Sequence, residues 1–285
     1  MNCRVLLAQI EPTLGNLSAN LEMHLAAIAD ARARGVQMVL FPELSLSGYF
    51  LRDQVAEAAL PAGHAILSQL CERSRDVSIG AGFVERGEDG RLYNSYGFFE
   101  DGRLLEVHRK VHLVTYGMFD DARDFAPGDR FRCVQSRHGR FGVLICEDMW
   151  HVSAAYLHFI SNVDALLVPS ASPGRGVTQT EEPGLHSVRT WNRMQEALAL
   201  LFQSWIVYVN RVGSEDGMIF SGGSRVVDPF GRVAAELALL DPGVVETTLS
   251  ADATRRARVM TPLRRDEKPW LVQRELTRIL GQLEE

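Results

Sequence analysis

Cys146 closes an apolar run, Val143, Leu144 and Ile145, and two acids, Glu147 and Asp148, follow it at once. A thiol where a buried strand turns toward polar residues is well placed to be a nucleophile, because a thiolate attacks carbonyl carbon readily near neutrality. A buried, inert cysteine is the competing reading. Two further residues stand in comparable places. Glu43 follows the apolar stretch Val36–Phe41 and Pro42, and Lys110 follows Arg103–His108 and Arg109. Sheets of parallel type carry their chemistry at strand ends. Taken singly, a glutamate or a lysine there reads as an ordinary solvated side chain. Hydrolysis of an unactivated amide needs a strong nucleophile, a base for its proton and fixed positive charge opposite the oxyanion.

The elements that must position these groups follow a strand–helix–strand pattern. Arg4–Ile10 reads as a strand. Asn16–Arg34 carries Leu17, Leu21, Leu25, Ile28 and Ala29 at helical spacing, with Gly35 as the stop, and Val36–Phe41 is the next strand. Asp53–Arg75 reads as helical with a break at Pro61-Ala62-Gly63. Val77–Val84 and Tyr93–Phe99 read as paired strands. The long, aperiodic Val111–Asp129 is expected to be a functional loop. Beyond Cys146 the pattern predicts a helix over Ser153–Ser161, a strand over Ala165–Pro169 and a helix within Thr178–Leu201. A strand over Ile206–Val212, a hairpin over Gly222–Leu237 and a strand over Val244–Leu249 follow. The chain ends in an amphipathic helix, Pro269–Leu283. No repeat or linker interrupts the pattern, so one α/β domain over residues 1–285 is expected.

The 285 residues are 46% apolar and 23% charged, as in ordinary globular proteins. A net charge of −6 without a basic tract argues against a nucleic-acid partner. No apolar run is long enough for a membrane span. The four cysteines, Cys3, Cys71, Cys133 and Cys146, lack metal or disulfide spacing, which points to reduced thiols in the cytoplasm. His108 and His112 flank Lys110, but no third ligand accompanies them, so no metal is expected. His151 is the histidine that a Cys–His pair would use. Ser221–Ser224 (SGGS) reads as a hairpin turn, and no phosphate or dinucleotide loop is present, so no cofactor is expected.

Read together, the segments Phe41-Pro42-Glu43-Leu44, Arg109-Lys110-Val111-His112-Leu113 and Cys146-Glu147-Asp148 with Trp150 occur in a telling order. With Gly48-Tyr49, Ser172-Pro173 and Asn210-Arg211-Val212-Gly213, they resemble the nitrilase superfamily of carbon–nitrogen hydrolases over essentially the full length. The nearest likeness in motif is to the glutaminase domain of glutamine-dependent NAD synthetases. The resemblance implies a four-layer α-β-β-α sandwich and a triad of Glu43 as base, Lys110 at the oxyanion and Cys146 as nucleophile. It places Tyr116 and Ser172 in the substrate pocket and Glu147 behind the nucleophile. The family has a second glutamate shortly after the lysine; Met118 stands there, with Asp120 and Asp121 the nearest acids. Arg175 is the only basic residue near the place of one that holds a glutamine carboxylate.

The activity so implied is hydrolysis of a small carboxamide or carbamoyl compound through a cysteine thioester, releasing ammonia, with water and the amide as partners. The alternatives are a glutaminase subunit feeding a separate synthetase, nitrile hydrolysis by the same triad, and a catalytically idle binding or scaffold module. The family habit implies a homodimer or larger assembly, with residues 268–285 at the interface.

Overall fold

The computed structural model describes residues 2–178 and 184–283. The strands make two large sheets. In the first, the order is Gly243–Ser250, Asn2–Gln9, Met38–Leu40, Ser78–Arg86, Leu92–Glu100 and Arg103–Arg109, with the short Leu60–Pro61 strand paired to Ser78–Arg86. In the second it is Val233–Glu236, Arg225–Val227, Trp205–Asn210, Ala165–Ser170, Gly139–Val143 and Cys133–Ser136. The central strands run parallel in both sheets, which gathers their carboxyl ends at one edge of each.

Alternation explains the layers. In Asn2–Gln9, Val5 and Leu7 face the other sheet and join Phe141, Val143, Leu167 and Val207 in the central core. Leu6 and Ala8 face outward, under Leu21 and Ile28 of the helix Leu17–Ala33 and Ile66 and Leu70 of the helix Ala65–Arg73. On the second sheet, Leu166, Val168, Ile206 and Tyr208 face the helices Val152–Ile160 and His186–Phe202. A strand covered on both faces must be apolar at every position, as these runs are. Helix, sheet, sheet, helix is the expected four-layer order.

Several boundaries differ from expectation. The predicted Asp53–Arg75 helix is a single 3₁₀ turn at Arg52–Gln54, the short strand at Leu60–Pro61 and a helix over Ala65–Arg73 only. Pro61 and the left-handed Gly63 prevent a continuous helix. The strand leading to Cys146 ends at Val143, and Cys146–Trp150 is a 3₁₀ turn. Of the predicted Thr178–Leu201 helix, the structure forms His186–Phe202, and residues 179–183 lie outside the described residues. The first helix starts as its sequence suggests, with the Asn16 side chain accepting the Ala19 N–H at 3.1 Å. The last helix, Pro269–Leu283, buries no residue and exposes Trp270, Leu276, Ile279 and Leu280. Among the described residues, no helix is long and apolar enough to cross a membrane.

Two buried histidines set a limit on acid stability. His24 donates to the Asn20 carbonyl and meets the Ser45 hydroxyl, and His158 donates to the Val143 carbonyl. Burial pushes both rings down to about 4. An unfolded chain protonates these rings from about pH 6.5 downward and the native chain does not, so stability falls as the pH drops from about 6.5 to about 4. The loss is roughly 3 kcal/mol per ring at full shift. Urea midpoints measured at pH 7 and pH 5 are expected to be lower at pH 5; equal midpoints would contradict this.

Candidate active site

The structure brings Glu43, Lys110 and Cys146 together where carboxyl ends of strands from both sheets meet. Glu43 follows Met38–Leu40, and its side chain is fully buried. The Pro42–Leu44 backbone lies against Gly82, where a β-carbon would come within 2.4 Å of the Leu44 nitrogen and 2.6 Å of the Pro42 oxygen. Glycine is therefore required there. Glu43 Oε1 accepts from Lys110 Nζ at 2.8 Å and Asn94 Nδ2 at 2.7 Å, and Oε2 accepts the Ala171 N–H at 2.8 Å.

Lys110 is 0% exposed. Its ammonium donates to Glu43 and to Asp121 Oδ2, each at 2.8 Å. Burial works against the charge, and Asp121 and Glu43 more than offset it, holding the ammonium well above the usual lysine range. Two of its three N–H groups are taken by these carboxylates, which leaves the third for a ligand.

Cys146 adopts a left-handed backbone with φ of 47°, a conformation that costs a residue bearing a β-carbon about 1–2 kcal/mol and is concentrated at functional sites. The turn ends the strand and presents the thiol to the cavity. Burial, then the charge of Glu43, pushes the thiol well above its ordinary range, while Lys110 and the Ala171 N–H draw it down. The Glu43 carboxylate and the Lys110 ammonium thus both bear on the thiol, in opposite directions.

Of the two neighbouring acids it is Asp121, not Asp120, that reaches Lys110. It is carried into the interior by the short helix Asp121–Asp124, while Met118 points to solvent. Besides Lys110 it accepts the Tyr49 hydroxyl at 2.5 Å. Asp121→Asn keeps the shape and removes one of the two charges that fix the ammonium. We expect kcat to fall about a hundredfold, as for loss of one aligned electrostatic partner; a steady-state assay showing a change under threefold would contradict the role.

The site opens into a cavity of about 380 Å³ with Cys146 in its wall. Tyr49, Val114, Phe119, Trp150 and Trp191 form its apolar side. Tyr116 and Ser172, the expected pocket residues, line it, and so does Glu147, expected behind the nucleophile. The Tyr116 hydroxyl donates to both Glu147 oxygens, at 3.1 and 3.0 Å. Partial burial raises the Glu147 carboxyl above its usual range despite that bond and the nearby Lys110. Arg175 reaches the same cavity, 5.3 Å from the Phe119 ring centre, and its Nη2 is buried without a hydrogen-bond partner among the described residues.

Some residues escaped the sequence reading. Asn94 lies mid-strand and nothing in its spacing marks it. The Ala171 N–H is a backbone group, invisible in sequence. Its neighbour Ser172 is clamped by Asn210, whose Oδ1 accepts the Ser172 N–H at 2.8 Å and whose Nδ2 donates to the Ser172 carbonyl at 3.1 Å. His108 and His112 both converge on Asp148, at 3.0 and 3.1 Å. His151 stacks on His112 with ring centres 3.6 Å apart.

The sequence model of the carbon–nitrogen hydrolase family matches residues 4–259. The chain belongs to this family. Its sheets flanked by helices are those of the nitrilase superfamily. Among the relatives of this hydrolase, the glutamine-dependent NAD(+) synthetase of Acinetobacter baylyi is 32% identical over 231 residues, covering 81% of this chain and 41% of the synthetase. The hydrolase thus spans less than half the length of that relative. An (R)-stereoselective amidase of a Pseudomonas species is 35% identical over 82% of this chain and 80% of the amidase. A glutamate-to-glutamine mutant of the Nesterenkonia sp. AN1 amidase, solved with acrylamide added to its active-site cysteine, superposes with a TM-score of 0.74 at 25% identity, over 90% of this chain and 97% of that one.

Proposed function

We propose that the chain hydrolyses a small carboxamide through a thioester on Cys146. The observation that carries this reading is that one buried cluster unites the Glu43 carboxylate, the Lys110 ammonium and the Cys146 thiol, and opens into a cavity sized for a small molecule. Glu43 takes the thiol proton as sulfur attacks the amide carbon. The oxyanion that forms is met by the free N–H of Lys110. Collapse breaks the C–N bond, and the proton on Glu43 leaves with ammonia. Water then attacks the thioester, giving its proton to Glu43, and the departing sulfur recovers it as the carboxylic acid is released. The sum is amide plus water giving acid plus ammonia, with no cofactor in any step.

Glutamine is a second reading of the substrate, and one observation favours it. Glu147 and Arg175 put opposite charges in one cavity, as the ammonium and carboxylate of an α-amino acid would require. The glutamine-dependent synthetases among the relatives lend it support. The test is ammonia release by the purified chain from glutamine, simple aliphatic amides, ureido acids and nitriles. We expect an amide to give ammonia and acid in equal amounts, with glutamine among the better substrates. Ammonia from nitriles alone, or from no compound, would contradict the proposal.

A further inference from the structure

Asp148 is fully buried, and both of its oxygens are crowded with donors. Oδ1 accepts the backbone N–H groups of Val111 at 3.1 Å and His112 at 2.8 Å, together with His112 Nδ1 at 3.1 Å. Oδ2 accepts the Ile145 N–H at 3.1 Å and His108 Nε2 at 3.0 Å. Val111 and His112 are the two residues after Lys110, and Ile145 is the residue before Cys146. One carboxylate therefore grips the chain beside both groups. No ladder joins them: Arg103–Arg109 is an edge of the first sheet, whereas Gly139–Val143 lies in the second. Burial opposes the charge of Asp148, and the bonds from His108 and His112 outweigh it and hold the carboxyl well below its usual range.

We propose that Asp148 is the positioning residue that sets the Lys110 ammonium against the Cys146 thiol, by fastening the Val111–His112 backbone and the Ile145 backbone to its two oxygens. The inference rests on the hydrolase reading above. Only a carboxylate suits the place, because every group facing it is a donor. An asparagine here has one accepting oxygen, so its amide N–H₂ must confront either the Ile145 N–H or the pair from Val111 and His112. Donor facing donor pushes one loop away, and a displacement of about 1 Å can cost a hundredfold in rate. Touching neither cavity nor thiol, the residue acts only through Lys110 and Cys146.

The test compares Asp148→Asn with the wild type in two readouts. The first is kcat and KM on an amide that the wild type turns over. The second is the rate of alkylation of Cys146 by iodoacetamide at about pH 7, 8 and 9, followed on the peptide carrying that residue. Because Lys110 draws the thiol down, losing its alignment leaves less thiolate at each of these pH values and slows the reaction. We expect alkylation about tenfold slower at each pH, a kcat about a hundredfold lower and a KM within threefold. Unchanged alkylation, whatever happens to kcat, would overturn the proposal and leave Asp148 a merely structural residue. If Asp148→Asn does not fold, Asp148→Glu keeps the charge but shifts the carboxylate by one methylene, so that the three backbone N–H groups of Val111, His112 and Ile145 are no longer all met. It is expected to move both readouts the same way, and unchanged alkylation there overturns the proposal equally. Alkylation needs no substrate, so failure of the wild type to hydrolyse any amide would sink the hydrolase reading without touching this comparison.

Discussion

Cys146→Ala is expected to lower amide hydrolysis by more than about 10⁴-fold, the size of effect seen when an enzyme loses its covalent nucleophile. The argument is local. Glu43 and Lys110 stay in place without the sulfur, since their bonds run to each other, to Asn94, Asp121 and the Ala171 N–H. Nothing remains to attack the amide carbon except water, which no longer gains a thioester step. Alanine meets the same backbone cost as cysteine at φ of 47°, so the fold is expected to keep its thermal midpoint within a few degrees. Retention of more than 1% of wild-type turnover would show that the thiol is not the nucleophile. Cys3, Cys71 and Cys133 do not line the cavity, and their alanine variants are expected to keep activity.

Lys110→Ala is expected to be the second most damaging change, and it acts on both rate and stability. The rate loss is roughly 10³-fold, because the oxyanion loses its facing ammonium. The stability loss arises because Glu43 and Asp121 are then left buried without their counter-ion. Breaking such a pair from one side costs about 3–5 kcal/mol. The two effects separate in the double variant. Lys110→Ala with Asp121→Asn removes one of the stranded charges, so thermal unfolding is expected to recover part of the midpoint while turnover stays at the Lys110→Ala level. Recovery of turnover along with stability would mean that the lysine serves the fold alone.

How much of this was legible beforehand depends on which physical signal each residue leaves. The alternating and continuous apolar runs marked most strands, because a strand buried on both faces cannot contain many polar side chains. The motifs around Glu43, Lys110 and Cys146 put those three at strand ends, where the structure gathers them. Asp121 was ambiguous with Asp120, since neighbouring acids look alike until a short helix turns one inward. Asp148 read as half of an acidic pair, and only the arrival of donors from Val111, His112 and Ile145 distinguishes it from Glu147. The Ala171 N–H leaves no signal in a sequence at all. Arg175 shows only its charge in the sequence, whereas its buried Nη2, without a hydrogen-bond partner among the described residues, is a property of the folded cavity.

The most direct measurement is peptide mass mapping of the chain quenched in acid during turnover of a small carboxamide. The account predicts an added acyl mass on the peptide holding Cys146, absent from the Cys146→Ala variant. An acyl group on any other residue, with the Cys146 peptide unmodified, would contradict it.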